Sequence, residues 1–177
     1  TANTTFNGNV AVGHNALLNT NQNYNTAVGS NSMQANTSGY MNSAFGRSSL
    51  DANTTGIYNT ALGAYSLQAN TTASNNTAVG YSAMYDNSTG QFNLASGYLS
   101  LENNTTGNYN TALGAYALDR NTTANANTAV GYQSLYSNTT GSVHVAVGYG
   151  ALRSNTTGAQ NVAVGFETMY TNTTGGF

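Results

Sequence analysis

A parallel β-solenoid of about ten short coils is the fold class this sequence predicts, and three observations predict it. A glycine recurs at Gly13, Gly29, Gly46, Gly63, Gly80, Gly97, Gly114, Gly131, Gly148 and Gly165, every interval being 17 residues except the first, which is 16. A fixed short period is the sequence mark of a repeat architecture. Around each glycine the residue types repeat by column, small or branched before it and Leu or Met four places after it. Between these segments runs Asn-Thr-Thr-Gly, which is turn chemistry.

Each segment of the unit has its own reason. Two places before the glycine all ten copies carry Ala, and one place before it nine carry Val, Leu or Phe, Ser96 being the exception. Thr-Ala-Val-Gly-Tyr therefore reads as a strand. Ala/Ser-Leu-x after it reads as a second short strand. A helix is excluded, because the stretch between turn signals is too short for one and carries Gly in its middle. The reference glycine has no exception, which points to crowding or a special backbone angle. The turn glycine is replaced at Ala73 and Ala124, so that position does not require positive φ. The shortened first interval falls within Leu18–Tyr24, the counterpart of the turn. At ~4.8 Å per coil the array makes a rod of roughly 50 Å.

Alternation along the strand divides the columns into faces. The Ala, Gly and Leu/Met columns read as structural core, represented by Ala78, Gly80, Met84, Ala112, Gly114, Leu118, Ala129, Gly131 and Leu135. The opposite face is also apolar and, after the glycine, often aromatic: Val79, Tyr81, Leu113, Val130, Tyr132, Val147, Tyr149 and Val164. A thin coil cannot bury both faces, so this stripe reads as an inter-chain interface. The expected partner is the chain itself, as a parallel homotrimer or a filament. Val130→Asp is accordingly expected to damage assembly more than Asn138→Ala.

Composition excludes several functions. Only 5% of residues are charged and the net charge is −2, so nucleic acid is not an expected partner. In a solenoid a repeated charge would stack on its own copy, and the scattered Asp, Glu and Arg avoid this except at Glu102 and Asp119, where Arg120 is expected to offset the pair. No apolar run is long enough for a membrane span, and no Cys is present for disulfides or thiolate metal sites. His14 and His144 lie in different columns about eight coils apart, and His144 reads as a replacement for the Asn of the other copies. No catalytic triad or paired-carboxylate site can be assembled and no cofactor is implied, so the sequence reads as non-enzymatic.

The turn asparagines Asn36, Asn53, Asn70, Asn87, Asn104, Asn121, Asn138, Asn155 and Asn172 each precede Thr/Ser-Thr/Ser. Formally they are N-glycosylation acceptors. Turn chemistry alone accounts for them and is the preferred reading. Rows of adjacent Thr are a poor match to a flat ice-binding array. The Tyr residues allow a minority reading as a sugar-binding surface.

The unit Asn-Thr-Ala-Val-Gly-Tyr-x-Ala-Leu-x-x-Asn-Thr-Thr-Gly resembles repeats of phage tail fibres and related bacterial surface fibres. Its core, Asn-Thr-Ala-Val-Gly-x-x-Ala, is similar to the head repeats of YadA-type trimeric autotransporter adhesins, although the present unit is longer in its turn. The resemblance implies a trimeric parallel β-roll outside the cell or on a virion, serving as a shaft or as a surface that meets a host glycan or protein. Residues 1–177 are expected to be one repeat array. The incomplete units at Thr1–Thr5 and Phe177 suggest a segment of a longer fibre.

Overall fold

The computed structural model describes residues 7–176; the partial units at Thr1–Thr5 and Phe177 lie outside them. Ten strands of three residues follow one another as β1 (Val10–Val12), β2 (Thr26–Val28), β3 (Ser43–Phe45), β4 (Thr60–Leu62), β5 (Thr77–Val79), β6 (Leu94–Ser96), β7 (Thr111–Leu113), β8 (Thr128–Val130), β9 (Val145–Val147) and β10 (Val162–Val164). They form a single parallel sheet in sequence order. Register is strict: Ala61 pairs with Ala78, and Ala112 with Ala129. The protein is thus a β-solenoid with one strand per coil.

The strand is short because only its middle residue has an interior to enter. From β2 to β10 that residue is an alanine, fully buried or nearly so, while its neighbours on either side are half-buried or exposed. A larger side chain has no room there, since Ala78, Ala95, Ala112 and their equivalents share a dry core with the Leu/Met column. Met84, Leu118 and Leu135 are completely buried.

The reference glycines Gly80, Gly114 and Gly131 are half-buried and close the strand. All ten lie at φ between 122° and 145°. A Cβ built on Gly114 would stand 2.7 Å from the carbonyl carbon and oxygen of Gly131 in the next coil. Both reasons expected of an exceptionless glycine, crowding and backbone angle, therefore apply at once.

The expected second strand is absent. After the glycine the chain makes consecutive turns in which the second and fourth residues occupy the left-handed region, as at Tyr116 (φ 58°) and Leu118 (φ 54°). The alternation aims successive N–H groups in opposite directions along the rod. Tyr116 N donates to the preceding coil's Tyr98 carbonyl at 2.9 Å, and Leu118 N donates to the following coil's Ser134 carbonyl at 3.0 Å. A strand would carry the chain straight on, whereas this path turns it while keeping coil-to-coil bonds in both directions. Positive φ is costly for branched side chains, and here burial of the Leu at the corner holds it in place.

The turn is built from two asparagines per coil. In the coil around Gly114, Asn110 Nδ2 and Asn121 Nδ2 both donate to the Ala124 carbonyl, at 2.9 and 3.2 Å. Each also extends a ladder along the rod: Asn121 Nδ2 donates to Asn104 Oδ1 at 2.8 Å, and the Asn110 backbone N–H donates to Asn93 Oδ1 at 2.9 Å. The same clamp closes on Gly56 from Asn42 and Asn53, and on Gly107 from Asn93 and Asn104. The clamped residue lies outside the positive-φ region whether it is Gly or Ala, as Ala73 and Ala124 predicted.

The first coil shows how a 16-residue interval is accommodated. Thr20 stands where later coils have the clamp asparagine, and its Oγ1 accepts from Asn36 Nδ2 at 3.0 Å. Asn21 N still donates to the Thr37 carbonyl at 3.0 Å, and Tyr24 has the left-handed φ of its counterparts Met41 and Tyr58. The missing residue therefore falls at Gln22–Asn23, within the stretch where the sequence placed it.

Candidate functional site: the outward columns

The interior contains nothing a ligand can reach, so any site lies on the outside of the coil. Among the described residues no group of three or more His, Cys, Asp or Glu side chains comes together, and no helix is long and apolar enough to cross a membrane.

The column of formal N-glycosylation acceptors is inside. Asn53, Asn70, Asn87, Asn104, Asn121, Asn138 and Asn155 are fully buried, Asn36 with them, and their Nδ2 groups are committed to the ladder and the clamp. Asn172, in the last coil, is half-buried with the same two bonds. A glycan on any of these nitrogens would replace a bond the folded coil uses. The first Thr of each pair is also committed: Thr54 Oγ1 donates to the Thr71 carbonyl and Thr105 Oγ1 to the Thr122 carbonyl, both at 3.0 Å.

The stripe named for an inter-chain interface does face outward. Val79, Leu113, Val130 and Val147 are half-buried, while Val164 is 64% exposed. Beside them runs an aromatic column. Tyr81 stacks on Tyr98 with centroids 5.5 Å apart, and Tyr132, Tyr149 and Phe166 form a second stack at 5.3 Å. Ala115 would break the column, but Tyr116, one residue on, fills the gap edge-to-face with both Tyr98 and Tyr132. Tyr65 joins the lower end against Tyr81 in the same geometry. Tyr65 and Tyr116 were missed from the sequence because they belong to the next column, where aromatics are sporadic.

His144 sits in the ladder as an asparagine substitute. Its Nδ1 accepts from Asn161 N at 3.2 Å, where an asparagine would offer Oδ1, and its own N–H donates to Asn127 Oδ1 at 3.0 Å. That arrangement leaves the ring proton on Nε2, facing the Gly158 carbonyl. Burial lowers its pKa below the ordinary imidazole value. His14 is exposed on the rod's outer surface.

Most of the charged side chains occupy one further ridge, formed by the fifth and sixth residues after each glycine: Asp51, Asp86, Glu102, Asp119, Arg120 and Arg153. Asp119 and Glu102 stack as expected. Burial, together with the neighbouring Glu102, pushes the Asp119 carboxyl up to about 7, while Arg120 pulls it down only weakly. The Arg120 guanidinium lies instead over the Tyr136 ring, 4.9 Å from its centroid, and Arg153 lies over the same ring at 5.3 Å.

Neither protein-family models, nor curated protein sequences, nor solved structures yield a match to this chain.

Proposed function

We propose that the chain is the non-enzymatic shaft or head of an extracellular or virion fibre, assembled as a parallel homotrimer through its strand face. The observation that carries this reading is the contrast across one strand. Ala129 is wholly buried while Val130, on the other side, keeps an apolar surface in contact with water. Because the register is strict, that surface repeats from coil to coil, interrupted at Ser96. A long ordered apolar stripe is what an obligate assembly covers. The rod's mechanical role follows from its construction, since every coil is bonded to both neighbours by backbone and amide groups.

Val130→Asp tests it. The side chain is not part of the coil interior, so circular dichroism and thermal unfolding of the separated chain should be little changed. Sedimentation should show loss of the oligomer. A variant that remains fully trimeric, or a parent protein that sediments as a monomer, overturns the reading.

The aromatic column supports assembly better than sugar recognition. Stacked rings at 5.3 Å present their faces to each other, and a pyranose needs a free face. Saccharide binding by the separated rod on a glycan array would reverse that preference.

A further inference from the structure

The ridge that carries most of the charge has a direction. Numbering coils by their glycine, Asp51 lies in the third coil and Asp86 in the fifth, whereas Arg120 lies in the seventh and Arg153 in the ninth. Asp51 and Arg153 share one column; Asp86 and Arg120 share the next. Both pairs are symmetric about the sixth coil, which carries Glu102. Shape follows the same symmetry. In the early coils the ridge sinks into a groove of about 460 Å³, floored by Ala35, Ala52 and Ala69. In the late coils it rises into Tyr136, Arg153 and Tyr170, with Arg153 over both rings.

We propose that this ridge binds a second copy of the chain side by side and antiparallel, about a two-fold axis at Glu102, with Asp51 facing Arg153 and Asp86 facing Arg120 of the partner.

An isologous contact satisfies each pair twice. The equal spacing of coils in both rods means that a match at one level holds at the others. The same operation sets Gln68, in the fourth coil, against the Tyr136 hydroxyl of the eighth. Gln68 Oε1 has no hydrogen-bond partner among the described residues, and because it lies beneath the groove surface the amide must turn outward to meet that hydroxyl. The Tyr136 oxygen accepts from Arg120 at 3.4 Å and retains its proton to donate. Burial in the groove raises the Asp51 carboxyl above the usual carboxylate range, with no cation beside it among the described residues. Glu102 meets its own copy on the axis; burial holds its carboxyl above the usual carboxylate range, so that uptake of a proton there relieves the level of charge. This contact uses columns other than the strand face, so it stands whether or not that face forms a trimer. With both in use, rods associate laterally into bundles.

The chain has no cysteine, which makes cross-linking a clean test. Ala52→Cys and Ser154→Cys occupy the third and ninth coils of the ridge. Chains carrying one substitution each, refolded together and oxidised, should give the mixed disulfide in excess over either self-linked product. Arg153→Glu should weaken the association roughly tenfold or more. The exchange Asp51→Arg with Arg153→Asp in the same chain should restore it. Preferential self-linking of A52C would mean that equivalent coils lie side by side and would overturn the proposal. So would the absence of any cross-link, or an association indifferent to Arg153→Glu. Because Val130→Asp leaves this ridge intact, a failure of the trimer and a failure of this contact are separately visible.

Discussion

In the coil around Gly131, the strand Thr128–Val130 and the turn Asn138–Gly141 are bonded to the same neighbouring coils by different atoms. The strand uses backbone groups, as where Thr128 N donates to the His144 carbonyl at 2.8 Å, and its side chains are left to pack inward or face out. In the turn the backbone keeps a bond to the next coil, Thr139 N donating to the Thr156 carbonyl at 3.0 Å, and side-chain amides are added to it. Asn138 Nδ2 donates to Asn121 Oδ1 at 3.3 Å and to the Gly141 carbonyl at 2.8 Å. The strand's outer residue is thus left facing outward, whereas the turn's asparagine is as much a part of the interior as the alanine. A buried carbonyl without a donor costs about 1–3 kcal/mol, which is why an amide is placed at each one.

The comparison can be broken most violently at the point where strand becomes turn. Gly114→Ala would set a methyl group against the Gly131 carbonyl at a φ of 131° that alanine resists. A loss of about 3–5 kcal/mol is expected in chemical denaturation; a loss below about 1 kcal/mol would show that the coils can part to admit it. Next comes the clamp. Asn138→Ala removes a donor from Gly141 and interrupts the ladder between Asn121 and Asn155, for an expected loss of about 2–4 kcal/mol. Thr140→Ala, on the exposed side of the same turn, should stay within about 0.5 kcal/mol. Equal effects from the two would mean that the turn is held by its backbone after all.

Smaller effects separate two buried groups that answer pH in opposite directions. Asp119 rises from 3.8 to about 7 on folding, so the folded state holds a proton that the unfolded state releases. Its contribution is fully present below pH 3.8 and is lost as pH rises towards 7. Asp119→Asn should flatten that slope and raise the melting temperature at pH 8, while leaving it nearly unchanged at pH 4. His144 behaves inversely. Its folded pKa lies below 6.5, so stability is present above that value and is lost as pH falls through it. Protonation would also place a proton on Nδ1, which now accepts from Asn161 N. His144→Asn should remove the acid-side loss. An unaltered melting profile between pH 5 and 7 would place the ring outside the ladder.

Columns explain how much was legible beforehand. The alanine two before each glycine and the Leu or Met four after it were readable as core because they never vary in polarity. The exceptionless glycine was readable as a backbone constraint. The clamp was not readable from the same pattern. Asn-Thr-Thr-Gly has the composition of an exposed turn, and only the meeting of Asn110 with Asn121 on one carbonyl, 14 and 3 residues away in sequence, shows it to be internal. The uniform asparagine four before each glycine, broken only by His144 among the described coils from Asn9 to Asn161, was the available signal. The false second strand has a similar origin. Alternating small and large residues at Ala117 and Leu118 suggested a strand's period, but a strand would bury only one of the two, whereas the turning path with its alternating left-handed φ values buries both.

The sequence by itself determined the repeat, the coil length, the strand and the invariant small interior, because each residue lies above its own copy and must tolerate itself as a neighbour. The low charge and the asparagine and tyrosine columns follow from that condition. The tertiary structure decided which polar side chains are inside. In a coil this thin, the backbone's own carbonyls set where amides must go, and that depends on the closing of the turn in space rather than on any local preference of asparagine.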